Sequence, residues 1–258
     1  MQLAFDLYVG RDTWLQKLDP RVKLFFVVVA TAFLFIGPWI WMAVAMALAC
    51  TALLRVAQVP WPQIGRVWRA MGVLAAMVLV LTAIFGGGGG TVLLQLGPVV
   101  VTVGSLAQGL LLAARLVALA LVFALWLFTT GQSAMVRGFV ALRMPYEWGL
   151  TLALALRYVP IFAGLYSQVR DAQQARGLDL AQGGLRGRLR ALQPVLIAMI
   201  ITALRNSEHL GWALEARALG ARGVRRTVFR PLRMARTDWL AAGVLVVALL
   251  VAVLLCVS

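Results

Sequence analysis

Residues 106–128 read LAQGLLLAARLVALALVFALWLF, a run of 23 residues broken by a single charge, Arg115. A helix crosses the hydrocarbon core of a bilayer with about 20 predominantly apolar residues, so this stretch is long enough to span by itself. Working outward, the apolar runs 24–36 and 40–54 are separated only by Gly37-Pro38-Trp39, which reads as a hairpin between two spans. The run 71–85 precedes a charge-free stretch containing the glycines of 86–90, and 239–257 supplies a fifth apolar run. The rest of the composition agrees: 62% of residues are hydrophobic, 13% are charged, and the mean hydropathy is +0.91. Lipid rather than water is the main solvent of such a chain. Acids at Asp6 and Asp12, with no small-residue cleavage site behind a short apolar core, argue against a removable signal peptide. The expected fold class is an all-α polytopic membrane protein with about five transmembrane helices and long amphipathic cytoplasmic helices.

Two further apolar stretches, 148–169 and 191–204, are interrupted or bracketed by Arg157, Arg190 and Arg205. If both crossed the membrane, the loop bearing Arg170, Arg176, Arg186, Arg188 and Arg190 would lie outside, against the bias of Lys and Arg toward the cytoplasm. With five spans there is no conflict. The inside then receives Arg11, Lys17, Arg21 and Lys23, next Arg55, Arg66 and Arg69, and finally all sixteen arginines between Thr129 and Arg236. The outer loops 37–39 and 86–105 carry no charge. This predicts a cytoplasmic N-terminus, an outer C-terminus and three parts: a membrane domain 1–128 of four spans, a cytoplasmic domain 129–236, and a closing span 237–258. Trp39 and Trp41 at the outer ends, with Trp61, Trp68 and Trp239 at the inner ends, suit interfacial aromatic belts.

The 24 Lys and Arg against 9 Asp and Glu, a formal +15, thus fall mostly in one cytoplasmic block, where attraction to anionic lipid is the plain reading of any single arginine. Residues 161–180 are more specific. Leu165, Val169 and Ala172 form an apolar stripe, and Arg176, eleven positions after Leu165, falls on the same helical face rather than toward solvent. Gly177 follows as a C-cap, where a cation also suits the helix dipole. A second helix, expected from about Pro194 toward Gly220, places Leu210, Leu214 and Arg217 on one face. The two endings are Ala175-Arg176-Gly177 and Ala216-Arg217-Ala218. Small neighbours let a partner approach the backbone while the guanidinium enters an acidic or carbonyl-lined pocket.

These motifs, with Leu18-Asp19-Pro20-Arg21-Val22-Lys23-Leu24 before the first span, resemble the T subunits of energy-coupling-factor transporters. Asp19, Pro20, Arg21 and Lys23 match the N-terminal signature, with Asp19 as N-cap and Pro20 as first helical residue. Residues 156–160 through 171–177 resemble the family's first coupling helix and its Ala-Arg-Gly motif, and 213–220 resemble the second. The second reads Ala-Arg-Ala, and a literal Ala221-Arg222-Gly223 follows; Arg217 is preferred because it shares a face with Leu210 and Leu214 ahead of Gly220. The resemblance implies a subunit of the cell (inner) membrane that docks two cytoplasmic ATP-binding-cassette ATPases through its arginine motifs. It also implies that the chain holds a membrane-embedded, substrate-binding S subunit and serves uptake of a vitamin or a transition-metal ion.

Absences restrict the rivals. The lysines are Lys17 and Lys23, neither in a glycine-rich phosphate loop. The single histidine, His209, has no second histidine or cysteine nearby, which argues against a zinc site, and Cys50 and Cys256 sit in apolar runs as buried thiols. No Asp or Glu lies between Asp19 and Glu147, so the first four spans hold no carboxylate for proton relay or metal binding. Arg115, without an acid in its span, reads as facing a partner or snorkelling. The expectation is therefore a non-catalytic chain without cofactor or metal, partnered by lipid and other subunits and not by nucleic acid. The alternative is the permease subunit of a conventional ATP-binding-cassette importer, whose acidic Glu-Ala-Ala loop Glu215-Ala216-Arg217 only half resembles.

Overall fold

The computed structural model describes residues 13–37, 39–86, 89, 91–96, 99–177, 184–220, 234–235, 237–244 and 246. In chain order these form helices α1 (Trp14–Lys17), α2 (Pro20–Ile36), α3 (Ile40–Val56) and α4 (Trp61–Phe85), strands β1 (Val92–Leu96) and β2 (Val99–Thr102), and helices α5 (Val103–Thr129), α6 (Gln132–Ala141), α7 (Tyr146–Ala175) and α8 (Leu185–Glu215). The protein is an all-α polytopic membrane protein. Its one departure among the described residues is a two-stranded antiparallel ribbon, Val92 opposite Thr102 and Leu96 opposite Val99, inside the stretch expected to be a charge-free loop.

The described residues divide into two compact units, those of 13–149 with those of 234–246, and those of 150–220. In the first, α5 is the central helix, packed against α2, α3 and α4. Its buried residues Ala118, Leu121, Val122, Leu125 and Phe128 meet Ala30 and Leu34 of α2, Ala43, Ala47, Cys50 and Leu54 of α3, and Ile64 of α4. Cys50 is a buried free thiol, as its apolar setting predicts. Lipid tails are as apolar as leucine, so close backbone approach through small residues holds such helices together. Gly109 shows it: a Cβ there would stand 3.3 Å from the carbonyl of Leu79 and from Thr82 Cβ on α4.

The local sequence explains the ends. Asp19 caps α2, its carboxylate accepting from Arg21 N at 2.9 Å, with Pro20 at the first position. At the expected hairpin, Gly37 closes α2 and Trp39 opens α3, while Pro38 between them lies outside the described residues. α4 begins at Trp61, ten residues before the apolar run 71–85, because Trp61-Pro62 starts a helix and the polar turns carrying Arg66 and Arg69 continue it. Thr102 and Ser105 form a reciprocal capping box for α5. α6 packs on α2, where a Cβ on Gly138 would lie 3.1 Å from Pro20 Cβ.

In the second unit α8 starts at Leu185, nine residues earlier than expected, with Pro194 inside it rather than at its start. Gly184 supplies the extended N-cap, and a proline deletes one backbone bond without ending a helix that other residues favour. Pro160 lies inside α7 in the same way. Among the described residues, four helices are long and apolar enough to cross a membrane: α4, α5, α7 and residues 189–215 of α8; α3 is a shorter apolar helix. α7 and α8, read from the sequence as cytoplasmic, are thus both within spanning length. Most of the expected span 239–257 lies outside the described residues, which there include a helical stretch at 237–244.

Candidate functional site

The two arginine motifs share one feature of backbone, a turn that leads into a left-handed residue. α7 ends at Ala175, Arg176 occupies a turn, and Gly177 turns left-handed at φ +85°, its N–H donating to Gln174 O at 2.9 Å. α8 ends at Glu215, and Ala218 adopts φ +56°. Ala218 N donates to Glu215 O at 2.8 Å and Leu219 N to Leu214 O at 3.0 Å, the paired bonds of a Schellman ending. In both motifs the arginine is the residue immediately before a left-handed one. Gly177 supplies that conformation without a Cβ; Ala218 adopts it with one, at a cost of about 1–2 kcal/mol. The sequence sets Ala175-Arg176-Gly177 beside Ala216-Arg217-Ala218, but nothing in it marks the positive φ of Ala218. The literal triplet Ala221-Arg222-Gly223 lies outside the described residues.

Arg176 and Arg217 are both exposed, as are Ala175, Gly177, Ala216 and Ala218. The expected stripe is half-buried at Leu165 and Val169 and exposed at Ala172; Leu210 and Leu214 are half-buried. The expectation that Arg176 avoids solvent fails for the chain alone because it stands one residue past the last helical turn. Along α8, Leu189, Leu196, Ile197, Ile200, Ile201 and Leu204 leave large apolar side chains uncovered. His209 is exposed and meets Trp212 edge-on, ring centres 5.4 Å apart. No group of three or more His, Cys, Asp or Glu that could hold a metal ion occurs among the described residues.

The N-terminal signature residues gather elsewhere, in the first unit. Lys23 Nζ donates to Thr129 O at 2.8 Å and to Gln16 O at 3.1 Å, joining the start of α2 to the end of α5 and to α1. Asp238 accepts from Asp19 N at 3.0 Å and from Ala235 N at 2.8 Å. Asp19, Lys23 and Asp238 are all buried, while Arg21 is half-buried. Burial lowers the Lys23 ammonium from its usual 10.5 to about 8, against the opposing pull of Asp238 and Asp19. The signature is thus a structural node, and Asp238, which the sequence reading passed over, is part of it; the only signal was an isolated acid at the start of the last apolar run. Arg115, expected to face a partner or snorkel, instead donates to the Gly37 carbonyl and pins the α2–α3 hairpin to α5.

With this geometry in view, comparison with known proteins is specific. Residues 11–224 match the CbiQ family, described as cobalt transport protein. Spanning helices and that match define an integral membrane component of a transport system. Energy-coupling factor transporter transmembrane protein EcfT of Bacillus selenitireducens is 32% identical over 241 residues, 90% of this chain and 88% of that protein. Its counterparts in Listeria innocua and Thermanaerovibrio acidaminovorans are each 30% identical, over 90% and 93% of this chain and 89% and 91% of theirs. The chain belongs to this CbiQ/EcfT family, the transmembrane T subunits of energy-coupling factor transporters.

Proposed function

We propose that this chain couples ATP hydrolysis by two cytoplasmic ATP-binding-cassette ATPases to a separate membrane-embedded S subunit that binds a vitamin or a transition-metal ion for uptake. Arg176 and Arg217 enter the ATPases, and the uncovered apolar sides of α7 and α8 receive the S subunit. The N-terminus and the arginine-bearing helix ends are cytoplasmic, the C-terminus is outside, and the membrane is the cell's inner one. The observation that carries this reading is the repeated ending: two helices of 30 and 31 residues, each closed by an exposed arginine before a left-handed residue. Two like sockets on two like ATPases account for two like arginine endings. A helix of that length extends about 45 Å, enough to carry a displacement from the arginine tip to the membrane. The chain itself contributes no hydrolytic step. Affinity purification of the full chain from its native membrane, with identification of everything retained, tests the assignment. Two ATPase copies and one small apolar membrane protein are expected; recovery of the chain with a soluble substrate-binding protein instead indicates a conventional importer.

A further inference from the structure

Two cavities share a wall where α2 begins and α5 ends. One, about 510 Å³, is lined mainly by apolar residues, among them Trp14, Phe26, Leu53, Trp126, Ala241 and Val244. The other, about 390 Å³, is polar and lined by Lys17, Asp19, Lys23, Thr130, Arg137 and Asp238 among others. Leu18, Lys23 and Thr129 belong to both walls. A cation at the seam of an apolar and a polar cavity, at the end of spanning helices, matches an amphipathic ligand with a negative charge next to its hydrocarbon. We propose that the pair binds one phosphatidylglycerol molecule, with acyl chain in the apolar cavity and phosphate and glycerol headgroup in the polar one.

The charges favour an anion. Lys17, Lys23 and Arg137 face two carboxylates, and those carboxylates are partly engaged: Asp238 accepts backbone N–H groups on both oxygens and Asp19 accepts one on Oδ1. The unfilled bonds favour a headgroup bearing hydroxyls. Thr130, 3% exposed, holds a buried Oγ1 without a partner, and Asp19, 5% exposed, holds a buried Oδ2 without one. Buried polar atoms ordinarily find partners. Both side chains line the polar cavity, and a turn of either toward it lets a glycerol hydroxyl donate to the unfilled oxygen, whereas a choline headgroup has no hydrogen to give. Lys17 and Arg137 are exposed at the rim, where they reach the phosphate.

Native mass spectrometry of the full chain in detergent, exchanged with phosphatidylglycerol, phosphatidic acid or phosphatidylcholine, tests the site. One phosphatidylglycerol per chain is expected to survive, with phosphatidic acid weaker and phosphatidylcholine weakest. Lys17→Gln with Arg137→Gln is expected to weaken retention about twenty-five-fold, since each basic residue contributes about a factor of five. Ala241→Trp, which fills the apolar cavity and spares the cations, is expected to abolish it. Millimolar inorganic phosphate should not displace the lipid. Equal retention of phosphatidylcholine, displacement by phosphate alone, or retention unchanged in the charge variant overturns the proposal; the lipid and phosphate arms use the wild-type chain and do not depend on any variant folding.

Discussion

At the two helix endings, arginine and its C-terminal neighbour do separate jobs. The neighbour turns the chain into the left-handed region, and the arginine projects from the turn so made. Replacing Gly177, at φ +85°, by alanine adds a Cβ with no atom nearby to clash with, so the penalty is the backbone's alone, about 1 kcal/mol. Ala218→Gly removes that penalty and stabilises the second ending by up to about 1 kcal/mol. Thermal unfolding in detergent should separate the pair by shifts of opposite sign, about 2–4 °C per kcal/mol for a chain of this size. The ends of α7 and α8 were legible in the sequence, since Gly177 and Gly220 follow them. What was not legible is that Ala218 plays the part of Gly177, because alanine advertises nothing about a positive φ.

Lys23 makes a different residue-scale test. Its ammonium is held near 8 in the folded chain against 10.5 in the unfolded one, so between those values the unfolded chain binds more protons. Stability therefore rises with pH across that window and carries the full cost of the buried charge below it. Comparing thermal unfolding of wild type and Lys23→Met from pH 7 to 10 should show the wild type gaining relative to the variant. A constant difference between them contradicts the assignment.

Among the elements, α5 depends on close approach to α4. At Gly109 a Cβ is already 3.3 Å from the Leu79 carbonyl, so Gly109→Val drives the helices apart and is expected to cost about 1–3 kcal/mol. Gly72→Val on α4, where nothing lies within 4 Å, serves as the control and should leave the melting temperature of the isolated chain within 2 °C by the same scaling. The helix cores were readable from apolar runs, and the hairpin from Gly37-Pro38-Trp39. The starts of α4 and α8 were not. Hydropathy marks the lipid-facing part of a helix, whereas Trp61-Pro62 and Gly184 set where its backbone begins, in polar sequence on which hydropathy is silent. The ribbon of β1 and β2 was missed for a related reason: a valine- and leucine-rich stretch between glycines fits a loop, a strand or a short helix equally well.

Across the whole molecule, charge placement and helix length answer different questions. Apolarity gives α7 and α8 spanning length, and the arginines between and after them argue for the cytoplasm. The family match over residues 11–224 fits both halves of the chain into one kind of transporter subunit, which agrees with the reading of its three short motifs. Of those motifs, the first signature is a buried structural node that ties α1, α2, the end of α5 and Asp238 together, while the two arginine endings remain uncovered. That contrast makes the central claim easy to isolate, because a charge change at an exposed turn spares the fold. Arg176→Glu and Arg217→Glu, singly and together, should therefore leave the chain monodisperse in detergent. Each should weaken retention of the ATPases by about 2–5 kcal/mol, read as loss of the ATPase bands on purification of the tagged chain. Retention of both ATPases by the double variant at the wild-type level would contradict the account.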